Sequence, residues 1–108
     1  MSKKQQSRSQ RILLVDDDQH LLQSLAGWLQ DQGFDAGMAN DTLSAEKELA
    51  NKEYDLAFVD LRLGSEDGME VLAHCRKHHP NVVVIMMTGY ATVDTGVEAI
   101  NALSLIHI

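Results

Sequence analysis

Short apolar runs alternate along the chain with stretches whose apolar residues recur every three or four positions. "RILLV", residues 11–15, holds four consecutive apolar residues and reads as a strand covered on both faces, as in a buried parallel sheet. Leu21, Leu22, Leu25, Trp28 and Leu29 then recur at helical spacing. Asp18 is placed to cap that helix and Gly33 to stop it. "FDAGMA", 34–39, predicts a short, weaker strand, and "DTLSAEKELANK", 41–52, an amphipathic helix capped by Asp41 or Thr42. "DLAFVD", 55–60, predicts a second buried strand, followed by a loop, "LRLGSED". "GMEVLAHCRKHH", 68–79, is a helix stopped by Pro80. "VVVIMMT", 82–88, is the most apolar strand, and "ATVDTGVEAIN", 91–101, a last helix weakened by Gly96.

Strands alternating with helices imply an α/β fold, a doubly wound parallel sheet with helices on both faces. In such sheets ligands bind beyond the carboxyl ends of the strands. Three predicted strands end there in polar residues: Asp16 and Asp17, then Asp60, then Thr88. The fold would gather them into one pocket. Crowded carboxylates raise one another's pKa and repel unless a cation neutralises them. An oxygen-only donor set, with no Cys or His nearby, favours a hard cation such as Mg²⁺, which keeps coordination positions open for phosphate oxygens. An aspartate beside it is placed to attack phosphorus, and Thr88 to donate its hydroxyl to a phosphoryl oxygen.

The charge balance sharpens that picture. Lys3, Lys4, Arg8 and Arg11 stand in a lead-in without acids, whereas from Ile12 onward sixteen acids face five bases. This argues against a nucleic-acid surface on the domain and suits a cation site or a basic partner. The polar lead-in, 1–10, reads as disordered and carries no secretory apolar stretch. No apolar run approaches a membrane span, and the single cysteine, Cys75, fits a reducing cytoplasm.

"ILLVDDD", "DLAFVDLRLGSEDGMEVL" and "VVVIMMTGYAT" together resemble the receiver domain of bacterial two-component response regulators, from about Arg11 to Ala102. The wording is most similar to receivers of the nitrogen-regulation type, which precede an ATPase module and a DNA-binding module. The resemblance implies a flavodoxin-like sheet of order 2-1-3-4 and a phosphorelay that moves phosphate from a sensor histidine kinase or phosphotransfer protein to an aspartate. Asp60 then falls on the phosphoacceptor and Asp16 and Asp17 on the acidic pair that holds Mg²⁺, Asp17 directly and Asp16 largely through water. The backbone carbonyl of Arg62 falls on a further ligand position, and Thr88 on the switch hydroxyl. The module would act as a signalling switch in transcription regulation rather than as an enzyme.

Two departures from the family pattern stand out. Gly64 occupies a position where receivers usually carry Pro, which implies a more mobile loop without loss of a chemical group. After Ala102 the family's fifth strand, its Lys and its fifth helix are missing, and "LSLIHI", 103–108, follows instead. Read back through the genetic code, those six residues match a transposon-end adapter used in sequencing-library preparation. The expectation is an incomplete receiver, 11–102, with a non-native tail, a lost effector domain and an impaired switch.

A different class of function remains to be weighed. Asp16 and Asp18 have the Asp-x-Asp spacing of haloacid-dehalogenase-type phosphatases, although "DDDQHL" lacks the turn that usually follows and Asp60 would be left without a role. His74, His78 and His79 beside Cys75 read as a solvated helix end rather than a metal site, because no second cluster of ligands accompanies them in sequence. Cys75, Trp28, Met86 and Met87 read as packing residues.

Overall fold

The chain's structure, a computed structural model, describes residues 10–87. The apolar run of Arg11–Val15 forms β1, and three further strands join it: β2 (Asp35–Ala39), β3 (Leu56–Asp60) and β6 (Val83–Met87). All pair in parallel, in the order β2-β1-β3-β6, which is the 2-1-3-4 order expected from sequence. Helices α1 (Gln19–Asp31), α2 (Thr42–Asn51) and α3 (Met69–His78) make the crossovers.

The two-residue period of a strand explains the layering. Leu13, Val15, Ala57 and Val59 point to one face, where they pack with Ala45 and Leu49 of α2 and Val71 and Cys75 of α3. Ile12, Leu14 and Phe58 point to the other, against Leu22, Leu25 and Leu29 of α1. β1 and β3 are thus covered on both sides, and this is why their sequences are apolar runs rather than alternations.

Local chemistry sets the helix ends. The Asp18 carboxylate accepts the His20 and Leu21 N–H groups and starts α1. Gly33, at φ +95°, ends it in a left-handed conformation that lets the Phe34 N–H reach the Leu29 carbonyl. Asp41, not Thr42, caps α2, in a reciprocal capping box with Ser44. α3 begins behind Gly68, with Asp67 accepting the Met69 N–H, and ends before Pro80.

One element was not expected. The predicted loop 61–67 contains a short antiparallel ladder between β4 (Arg62–Leu63) and β5 (Glu66–Asp67). Gly64 takes φ +64° in its two-residue turn, and Ser65 keeps φ negative. That sign pattern belongs to a type II′ hairpin turn, which places Gly first. Proline, fixed near φ −65°, cannot stand there. Gly64 therefore accompanies a specific folded turn where the sequence predicts only a loop. No helix among the described residues is long and apolar enough to cross a membrane. The lead-in before Gln10, Thr88, the helix predicted over 91–101 and the tail 103–108 lie outside the described residues.

Candidate functional site

Parallel pairing carries the ends of β1 and β3 to the same edge of the sheet. Asp16 directly follows β1, and Asp60 is the last residue of β3. Asp16, Asp17 and Asp60 each bring a carboxylate oxygen within 4.8 Å of the other two. Asp16 and Asp60 are buried, at 7% and 8% exposure, whereas Asp17 is open to solvent. The three acids predicted from strand ends do meet, and the exposed one leaves the cluster a way in.

Each buried acid is oriented by its own turn. Asp16 Oδ1 accepts the Asp18 N–H at 2.9 Å, and Asp60 Oδ1 accepts the Arg62 N–H at 3.1 Å. One oxygen of each is thereby fixed. The backbone around Asp60 is held as firmly. The Leu61 N–H donates to the Met87 carbonyl at 2.7 Å, and the Gly68 N–H donates to the Leu61 carbonyl at 2.8 Å. A side chain at residue 68 would collide with the Asp60 carbonyl oxygen, so only glycine lets the start of α3 approach this closely.

Burial pushes the Asp16 carboxyl up to about pKa 6, with the charges of Asp60 and Asp17 adding to the rise and the Asp18 N–H opposing it. A carboxyl at pKa about 6 is one that a cation would drive into its charged form. The donor set consists of carboxylate oxygens alone, partly buried and with one solvent-facing member. This fits a hard divalent cation and does not fit a thiophilic one.

Arg62 lies beside Asp60 through its backbone N–H, and its side chain is exposed. Thr88 falls outside the described residues. Its predecessor, Met87, stands opposite Asp60 in the β3–β6 register. Asp18 does not join the cluster: its carboxylate caps α1. The Asp16/Asp18 pair that a haloacid-dehalogenase reading requires is therefore not formed.

Sequence reasoning missed two supports. In sequence Gly68 opens a helix and keeps, with Asp67, the spacing usual in receivers, but nothing local signals how near it lies to Asp60. Glu66 Oε1 accepts the Thr42 N–H at 2.9 Å, tying the β4–β5 hairpin to the start of α2. These residues are 24 positions apart, so no local pattern could have revealed the bond.

Comparison with known proteins agrees with this geometry. A family model described as the response regulator receiver domain matches residues 12–104. The alginate biosynthesis transcriptional regulatory protein AlgB of Pseudomonas putida is 40% identical over 97 residues, covering 90% of this chain and 22% of AlgB. The nitrogen assimilation regulatory protein NtrX of Azorhizobium caulinodans is 40% identical over 91 residues, covering 82% of this chain and 20% of NtrX. The chain thus spans about a fifth of the length of these curated relatives. Among solved structures, a CheY-like response regulator receiver domain protein from Methanospirillum hungatei aligns with a TM-score of 0.72 at 33% identity, over 87% of this chain and 75% of that one. The response regulator TrrA of Thermotoga maritima, solved with Mg²⁺ and BeF, aligns with a TM-score of 0.69 at 30% identity, over 76% of this chain and 71% of that one.

Proposed function

The chain belongs to the response regulator receiver domain family, and from that premise we propose that Asp60 is its phosphoacceptor, with Asp16 and Asp17 holding Mg²⁺ beside it. The convergence of the three carboxylates within 4.8 Å carries this reading. Phosphoryl transfer asks a protein chiefly for positioning and charge neutralisation. Asp60 meets the first demand: one oxygen is anchored by the Arg62 N–H, and the backbone of the next residue, Leu61, is clasped by Met87 and Gly68.

In the proposed step an Asp60 carboxylate oxygen attacks phosphorus of a phosphohistidine. A P–O bond forms, the P–N bond breaks, and the donor imidazole leaves with the electron pair. The product is an acyl phosphate on Asp60. Bound Mg²⁺ would supply charge neutralisation for the phosphoryl oxygens. Asp16, Asp17, Asp60 and the Arg62 carbonyl are the ligands we assign to it. The Thr88 hydroxyl is assigned to the phosphoryl group as the switch contact.

The donor is a sensor histidine kinase or phosphotransfer protein, encountered in the cytoplasm. AlgB is a transcriptional regulatory protein, and we infer that the regulator to which this receiver belongs likewise acts on transcription, through other modules. The receiver itself takes up a phosphoryl group as a signal and does not turn over a substrate pool.

Incubating the purified chain with Mg²⁺ and a small phosphoryl donor, then recording intact mass beside Asp60→Asn, tests the reading. One added phosphoryl group, absent from the variant, is expected. Uptake that persists in Asp60→Asn refutes the assignment of Asp60. Sustained hydrolysis of a generic phosphomonoester would restore the phosphatase reading.

A further inference from the structure

The histidines of α3 make a second cluster, away from the carboxylates. α3 starts beside Asp60 and runs away from that edge. At about 1.5 Å per residue, His74 and His78 lie roughly 8 and 14 Å further along the helix axis than Met69. The rings of His74 and His78, four residues apart, stand 4.7 Å apart between centroids. His79, just past the helix end, turns back so that its ring lies 5.3 Å from His74. Across the helix pair, Glu46 of α2 places Oε2 3.9 Å from His74 Nδ1. Glu46 is one further ligand that sequence alone did not provide, because it reaches the histidines only through the packing of α2 on α3.

We propose that His74, His78 and Glu46 bind a borderline divalent transition cation, Zn²⁺ in the first instance, with His79 within reach as a fourth ligand. Two histidines at i and i+4 on one helix face are a known chelating arrangement for Zn²⁺. Imidazole nitrogen with one carboxylate oxygen suits Zn²⁺, Ni²⁺ or Cu²⁺ and is a poor set for Mg²⁺. The two clusters of the chain therefore differ in the cation they select.

The side chains are half-buried or exposed and free to adjust. As they stand, their ligand atoms do not all meet at one point. Side-chain rotation is needed to close the site, while His74 Nδ1 and Glu46 Oε2 already stand 3.9 Å apart. Closing the site would clamp α2 to α3.

The test is a Zn²⁺ titration of the 108-residue chain in excess Mg²⁺, so that the carboxylate cluster is already occupied. Calorimetry would be read together with the imidazole resonances. One equivalent of Zn²⁺ is expected to shift the His74 and His78 resonances while the chain stays monomeric. His74→Ala and His78→Ala should each weaken binding on the order of a hundredfold or more, since even outer-shell partners of a metal are worth about 10–100-fold. Glu46→Gln should weaken it while leaving both histidines in place. Unchanged amide spectra would show that each variant is folded. Wild-type Zn²⁺ affinity in folded His74→Ala and His78→Ala overturns the proposal. So does a shift confined to His20 or His107, or binding seen only with dimer formation.

Discussion

Replacing Asp16 by asparagine should stabilise the chain while removing its affinity for Mg²⁺. Asp16 is almost fully buried, and its carboxyl is pushed from an ordinary value up to about pKa 6, first by burial and then by Asp60 and Asp17. Near neutral pH it is nonetheless ionised, at a cost. The folded pKa lies above the unfolded one, so this group's favourable contribution is complete below about pH 4 and is lost as pH rises through about 6. Two pH units correspond to about 3 kcal/mol, an upper bound once the site relaxes. Asparagine keeps an oxygen for the Asp18 N–H and removes the charge. In EDTA at pH 7.5, Asp16→Asn should therefore be more stable by about 1–3 kcal/mol, read from urea unfolding. For a domain of this size that is roughly 5–20 °C in melting temperature. The gain should shrink toward zero as pH falls from 7 to 4. Mg²⁺ should stabilise the wild type and leave the variant unmoved, because only a ligand that binds the folded state raises stability. Wild-type affinity for Mg²⁺ should rise with pH through about 6, as the cation displaces the Asp16 proton. A destabilised Asp16→Asn in EDTA, or a stability difference indifferent to pH, would refute the account of the cluster as mutually repelling carboxylates.

Three further substitutions separate the site from its supports. Gly68→Ala drives a methyl group into the Asp60 carbonyl, so it should destabilise by about 1–3 kcal/mol and slow phosphoryl uptake, measured by urea unfolding and intact mass. Asp18→Ala removes the cap of α1 and should lower stability by about 1 kcal/mol. Its Mg²⁺ affinity should stay close to wild type, because Asp18 stands outside the carboxylate cluster; a large loss of affinity would return it to the site. Tyr54→Phe deletes the 2.6 Å bond from the buried Tyr54 hydroxyl to Glu48 and should cost about 1–2 kcal/mol in chemical denaturation without altering Mg²⁺ binding.

The fold was legible because its signals are local and repeated. β1 and β3 announce themselves as apolar runs, and Asp18, Asp41 and Gly33 mark helix ends through bonds to residues only a few positions away. The carboxylate cluster was legible for a different reason. Parallel strands bring their carboxyl ends to one edge, so Asp16, Asp17 and Asp60 needed only the strand order to be placed together. What escaped was contact between residues whose relation depends on exact packing. The bond from the Thr42 N–H to Glu66, the backbone approach of Gly68 to Asp60, and the meeting of Glu46 with His74 each join separate elements. No periodicity encodes them.

Gly64 shows how a departure from a family pattern becomes intelligible only in three dimensions. In sequence it replaces a proline and suggests a looser loop. In the structure its positive φ closes a hairpin whose second strand carries Glu66 to the start of α2. The segment that follows Asp60 is thus tied at both ends: through the Arg62 N–H to the Asp60 carboxylate, and through Glu66 to the Thr42 N–H. A charge added at Asp60 would act first on the Arg62 bond and then, through the two-residue turn and Glu66, on α2. A proline at residue 64 cannot adopt this turn, so a receiver with proline there must connect the same two points by a different path. The glycine is therefore a choice of coupling geometry.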